Sequence, residues 1–116
     1  MPNQTEDCLF VNVFTPSNAT RKSNLKVWVY ISGGGYATLT NANYNGTEVV
    51  VNSGYEVILV NFNYRVGAFG FLASENVREN GDLNAGLLDQ RKLLQWVQKY
   101  ISQVRRGSPF QQASQA

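Results

Sequence analysis

From Cys8 to Thr15, Leu9, Val11 and Val13 alternate with Phe10, Asn12 and Phe14, the two-residue period of a strand. Turn chemistry in Pro16-Ser17-Asn18-Ala19-Thr20 ends it. Residues 25–31 are apolar on both faces, with Val27, Val29 and Ile31 on one and Trp28 and Tyr30 on the other, which predicts a central strand covered on both sides. Residues 38–52 are polar and asparagine-rich until Val49-Val50-Val51, the pattern of a loop with a short helix near its end. Residues 56–62 form a second two-faced apolar run and a second predicted strand. Gly67, Gly70 and Gly81 then punctuate a stretch expected to be irregular. From about Asn84 a helix is predicted, because Leu93, Trp96, Val97, Tyr100 and Ile101 fall at i, i+3, i+4, i+7 and i+8. Strand, loop, strand and helix, with strands of the buried parallel type, predict an α/β fold. Beyond residue 103 the period dissolves, so the chain divides into a domain over 1–103 and a tail over 104–116 expected to be disordered.

Composition narrows the chemistry. The 116 residues, 43% hydrophobic, suffice for one small core. Ten basic and eight acidic residues give a net charge of +2, too even to argue for nucleic acid, and no run of like charge argues for a membrane surface. No stretch is long and apolar enough to predict a membrane span. With no histidine and one cysteine, Cys8, no ordinary zinc or copper site is expected, and no cofactor is implied. The first residues lack the basic-then-apolar pattern of an export signal, so the compartment stays open. Asn-x-Ser/Thr triplets begin at Asn3, Asn18 and Asn45, against about 1.6 expected from composition alone, a hint of glycosylation and no more.

The chemically suggestive segment is the run from Lys26-Val27-Trp28-Val29-Tyr30-Ile31 into Ser32-Gly33-Gly34-Gly35-Tyr36. A strand opening into consecutive glycines lets something negative approach bare backbone amides. A dinucleotide fingerprint does not fit, since Thr38 stands at its third glycine position and the next apolar strand ends in Asn61 and Asn63. A phosphate loop fails for want of Lys-Ser/Thr after the glycines. Two readings remain on the residues alone: a tight turn leaving a strand, or an oxyanion-binding loop.

Four segments together resemble the N-terminal part of the type-B carboxylesterases, the cholinesterase and fungal lipase relatives within the α/β-hydrolases. They are Glu6-Asp7-Cys8-Leu9-Phe10-Val11-Asn12-Val13-Phe14-Thr15-Pro16, Trp28-Val29-Tyr30-Ile31-Ser32-Gly33-Gly34-Gly35-Tyr36, Asn61-Phe62-Asn63-Tyr64-Arg65-Val66-Gly67-Ala68-Phe69-Gly70-Phe71-Leu72 and Asn84-Ala85-Gly86-Leu87-Leu88-Asp89-Gln90-Arg91. The resemblance implies part of an α/β-hydrolase fold, a mostly parallel sheet with a long helix. It also implies hydrolysis of a small-molecule carboxylic ester by a serine nucleophile in a family often secreted. Gly34 and Gly35 match the backbone donors of the oxyanion hole, Arg65, Asp89 and Arg91 match structural ion-pair positions, and the position of Ser32 is often His or Tyr in the family. Cys8 matches a cysteine that pairs with an upstream one in the family; here it is an orphan thiol or a packed small apolar residue.

The family continues through Phe-Gly-Gly-Asp-Pro into Gly-x-Ser-x-Gly, the nucleophile elbow, and none of the eight serines here has that context. Nucleophile, acid and histidine are therefore expected to be missing, and the chain alone inactive. Codons for Val104-Arg105-Arg106-Gly107-Ser108-Pro109 can be chosen so that the next reading frame spells Phe-Gly-Gly-Asp-Pro, which makes a frame-shifted tail one reading and an unrelated tail the other. The alternatives to an ester hydrolase are a non-catalytic, cholinesterase-like adhesion protein and a truncated product without function. Self-association through an exposed strand edge is expected of such a piece.

Overall fold

A computed structural model describes residues 5–20, 22–104 and, for the backbone alone, 111–114. Its chain order is β1 (Phe10–Phe14), β2 (Lys26–Ile31), α1 (Thr47–Asn52), β3 (Val57–Phe62), α2 (Gly67–Phe71), α3 (Glu75–Asn80), α4 (Ala85–Tyr100), a 3₁₀ turn (Ile101–Gln103) and β4 (Gln111–Ser114). The four strands form one sheet in the order β2-β3-β1-β4. β2 and β3 pair in parallel, Trp28 opposite Leu59 and Ile31 opposite Phe62. β1 lies antiparallel to both β3 and β4, so the sheet is mixed.

Alternation along β3 explains how both faces are covered. Val60 and Phe62 join Val11, Val13, Tyr64, Leu93 and Val97 in one buried cluster, which seats α4 on that face. Leu59 turns the other way, into a cluster with Phe14 and Val50 that seats α1. Helix on sheet on helix is the layering expected of an α/β fold, here in partial form. β3 is the buried centre, with Val60 and Asn61 fully enclosed. Asn61 is tolerated there because its amide is used at both ends: Oδ1 accepts from Asn12 Nδ2 at 2.8 Å, and Nδ2 donates to the Tyr44 carbonyl.

Two expectations need revision. β2 is not central: it lies at the sheet's edge, with Trp28 57% and Ile31 45% exposed. Its two-faced apolar pattern reports what the two faces would bury; it does not report how many strands stand beside it. The glycine-punctuated stretch is not irregular throughout, since it carries α2 and α3. Ser74 caps α3 by accepting from the Val77 N–H at 3.2 Å. Of the tail over 104–116, Val104 follows the 3₁₀ turn and residues 111–114 form β4 beside β1, where no strand was expected; residues 105–110 and 115–116 lie outside the described residues.

The predicted stripe on α4 is only partly core. Leu93 and Val97 are buried and Trp96 half-buried, whereas Tyr100 is at the surface along with Leu87, Leu88 and Leu94. Among the described residues no helix is long and apolar enough to cross a membrane.

Candidate functional site

The glycine bend begins where β2 runs out of partners. Its hydrogen bonding passes through carbonyl oxygens. The buried Tyr64 hydroxyl donates to the Ser32 carbonyl at 2.7 Å. The Gly33 carbonyl accepts from the Thr40 N–H at 3.1 Å and from the Thr40 hydroxyl at 3.1 Å. The Gly34 carbonyl accepts from the N–H groups of Ala37 at 3.1 Å and Thr38 at 3.2 Å. In a trans peptide the C=O of one residue and the N–H of the next point in opposite directions. With the carbonyls of Gly33 and Gly34 turned into the loop, the N–H groups of Gly34 and Gly35 face away from it, and they donate to nothing among the described residues.

Why glycine is required differs along the bend. Gly34 has φ +143°, and a Cβ there would stand 2.1 Å from the Thr38 carbonyl oxygen. Gly35 has φ +61° but open space around the missing Cβ, so only its backbone conformation argues for glycine. Tyr36 follows in the same left-handed region at φ 62°, unusual for a bulky side chain. It is held there from two sides: its carbonyl accepts from the Gly67 N–H at 2.6 Å, and its ring packs on Phe71 with centroids 4.8 Å apart.

Ser32 is 1% exposed, and its Oγ accepts from the Asn41 N–H at 3.1 Å, closing residues 33–40 into a loop. A hydroxyl committed to that bond holds the loop; it is not presented as a nucleophile. Residues that sequence reasoning left without a role therefore set the bend: Tyr64, Thr40, Asn41 and Gly67. Tyr64 stood within a quoted segment, yet no sequence pattern tells that its hydroxyl reaches across to residue 32. Burial, reinforced by the nearby Tyr36, pushes the Tyr64 phenol above its ordinary value, so it remains a donor.

Behind the bend, the Arg65–Asp89 pair fastens α4 to the end of β3. Arg65 Nε donates to Asp89 Oδ2 at 2.8 Å and Nη2 to Oδ1 at 2.7 Å, a fork-to-carboxylate arrangement, while the Arg65 backbone N–H adds a third bond to Oδ2 at 3.0 Å. Burial alone would raise the Asp89 carboxyl, but the hydrogen bonds and charge of Arg65 together hold it below its ordinary value. Gly70 of α2 and Gly86 of α4 both press on the Arg65 carbonyl, where added Cβ atoms would lie 2.1 and 2.3 Å away. Arg91 is exposed and joins no ion pair among the described residues.

Comparison with known proteins now places the chain. The family model described as "Carboxylesterase family" matches residues 1–104. The chain belongs to the carboxylesterase family. Among solved structures, the crystal structure of Aspergillus niger EstA superposes with a TM-score of 0.82 at 65% identity, covering 88% of this chain and 20% of that one. The para-nitrobenzyl esterase of Bacillus subtilis (strain 168) is 43% identical over 104 residues, 88% of this chain and 20% of the relative. Lipase 2 of Geotrichum candidum is 42% identical over 103 residues, 86% of this chain and 18% of the relative. The chain thus spans about a fifth of the length of the carboxylesterase relatives it matches.

Proposed function

We propose that the chain contributes an oxyanion loop to carboxylic-ester hydrolysis by a serine nucleophile, with Gly34 and Gly35 as the backbone donors. The observation that carries this reading is the pair of unpartnered N–H groups on a bend whose Ser32, Gly33 and Gly34 carbonyls are engaged elsewhere. As the nucleophile's oxygen bonds to the ester carbon, the carbonyl π electrons move onto oxygen, and two fixed amide donors stabilise that negative charge without having to reorient. The chain has no histidine to take the nucleophile's proton and no Gly-x-Ser-x-Gly, so this step belongs to a larger assembly of residues than these 116. A small-molecule carboxylic ester is the substrate class, and the purified chain alone has no turnover. Incubation with a chromogenic short-chain ester and a serine-reactive phosphonate tests this; saturable hydrolysis blocked by covalent labelling overturns it. In a protein that carries this segment together with a nucleophile elbow, Gly34→Ala lowers kcat by about a hundred- to a thousand-fold.

The outer edge of β2 supports one addition. Among the described residues Lys26–Ile31 pairs on one side only and exposes Trp28 and Ile31, with no proline in the strand and only Lys26 charged. Such an edge joins other chains, so the isolated chain self-associates through β2. Sedimentation that stays monomeric as concentration rises, with a cooperative melt, refutes this.

A further inference from the structure

We propose that Asn45 is the acceptor of an N-linked glycan. The triplet Asn45-Gly46-Thr47 sits in the loop entering α1, with Asn45 and Thr47 exposed and Gly46 buried between them. A Cβ at Gly46 would lie 2.2 Å from Leu59 Cδ2 and 2.9 Å from Phe14 Cδ2. The middle of the triplet is therefore pressed onto the core, and its two reactive side chains stand outside. The Thr47 N–H donates to Asn45 Oδ1 at 3.1 Å. That bond occupies the amide oxygen and leaves Nδ2, the atom to be modified, without a partner among the described residues; the Thr47 hydroxyl is equally unengaged.

The other described triplet, Asn18-Ala19-Thr20, differs in this respect. Asn18 is exposed, but the Thr20 hydroxyl lies 3.2 Å from Ser23 Oγ and accepts from the Lys22 N–H at 3.3 Å, within its own turn. Transfer needs the third residue's hydroxyl as well as the asparagine amide, so the geometry ranks Asn45 first. The donor is an oligosaccharide carried on a lipid pyrophosphate. Nδ2 forms a bond to the sugar's anomeric carbon, the bond from that carbon to the pyrophosphate oxygen breaks, and Nδ2 loses one proton as the lipid pyrophosphate departs. Oδ1 is not consumed, so the bond from Thr47 persists in the glycosylated chain.

The test expresses the chain in yeast behind a cleavable export signal, beside Asn45→Gln, Thr47→Ala and Asn18→Gln. Both the secreted and the membrane-enclosed pools are treated with peptide N-glycosidase in heavy-oxygen water, so that a chain retained for poor folding still reports. The expected result is heavy-oxygen aspartate at position 45, loss of one gel-mobility step in Asn45→Gln and Thr47→Ala, and retention of that step in Asn18→Gln. Unmodified Asn45 in the membrane-enclosed pool overturns the proposal, as does a glycan confined to Asn18. The outcome is independent of ester hydrolysis, so either reading can fail alone.

Discussion

The glycine bend and the Arg65 junction both bring glycines against a backbone carbonyl, and they end in opposite electrostatic states. At Arg65 the donors are paired: its N–H and guanidinium meet Asp89, while Gly70 and Gly86 pack against its carbonyl. In the bend the Gly33 and Gly34 carbonyls are paired and the N–H groups of Gly34 and Gly35 are not. The left-handed conformations of Gly35 and Tyr36 persist because surrounding contacts hold the backbone there. Tyr64 and Gly67, which hold the bend, lie one residue before and two residues after Arg65, so one short segment carries both sets of bonds.

Truncation of Arg65 separates the two regions most strongly. Arg65→Ala leaves a carboxylate whose side chain is 5% exposed without its counter-charge and is expected to destabilise by about 3 kcal/mol, measured by urea unfolding. Asp89→Ala is expected to do less, because Arg65 is 44% exposed and can turn to water. The pH dependence carries a definite sign. Asp89 is held below its ordinary 3.8, so its contribution is complete above that value and is lost as pH falls through the folded-state value; Asp89→Asn removes this acid-side dependence.

Packing distinguishes the glycines next. Gly86→Ala drives a Cβ into the Arg65 carbonyl and the Phe71 ring and is expected to cost about 3 kcal/mol by the same measurement. Tyr64→Phe strands the Ser32 carbonyl for about 1–2 kcal/mol and raises amide hydrogen exchange across residues 33–40. The smallest effect is Gly35→Ala, which meets only the left-handed backbone penalty of about 1 kcal/mol, whereas Gly34→Ala also meets the Thr38 carbonyl. Equal effects at Gly34 and Gly35 would mean that conformation, not close approach, sets the bend.

Much of the frame was legible because burial imposes periodicity. β1 announced itself by alternation, β3 by an apolar run on both faces, α4 by the spacing of Leu93 and Val97, and α1 by its valines. β2 and β3 read alike, yet one is an edge and the other the centre, since strand order depends on long-range pairing that composition does not encode. α2 escaped because a five-residue helix with two glycines has too little length to show a period. α3 was findable from Ser74, an N-cap residue followed by Glu75. At the bend the glycines themselves were visible, but the reach of Tyr64 to Ser32 spans 32 positions and left no local trace.

Asn63 carries a mechanical consequence. Its side chain accepts from the Phe10 N–H at 2.6 Å and donates to the Cys8 carbonyl at 2.6 Å, while its own N–H reaches the Phe10 carbonyl at 3.3 Å. One carboxamide thereby splices residues 8–10 to the exit of β3 next to an unpaired thiol. The leading segment is moored by a redox-inert suture, which dithiothreitol leaves intact and Asn63→Ala cuts.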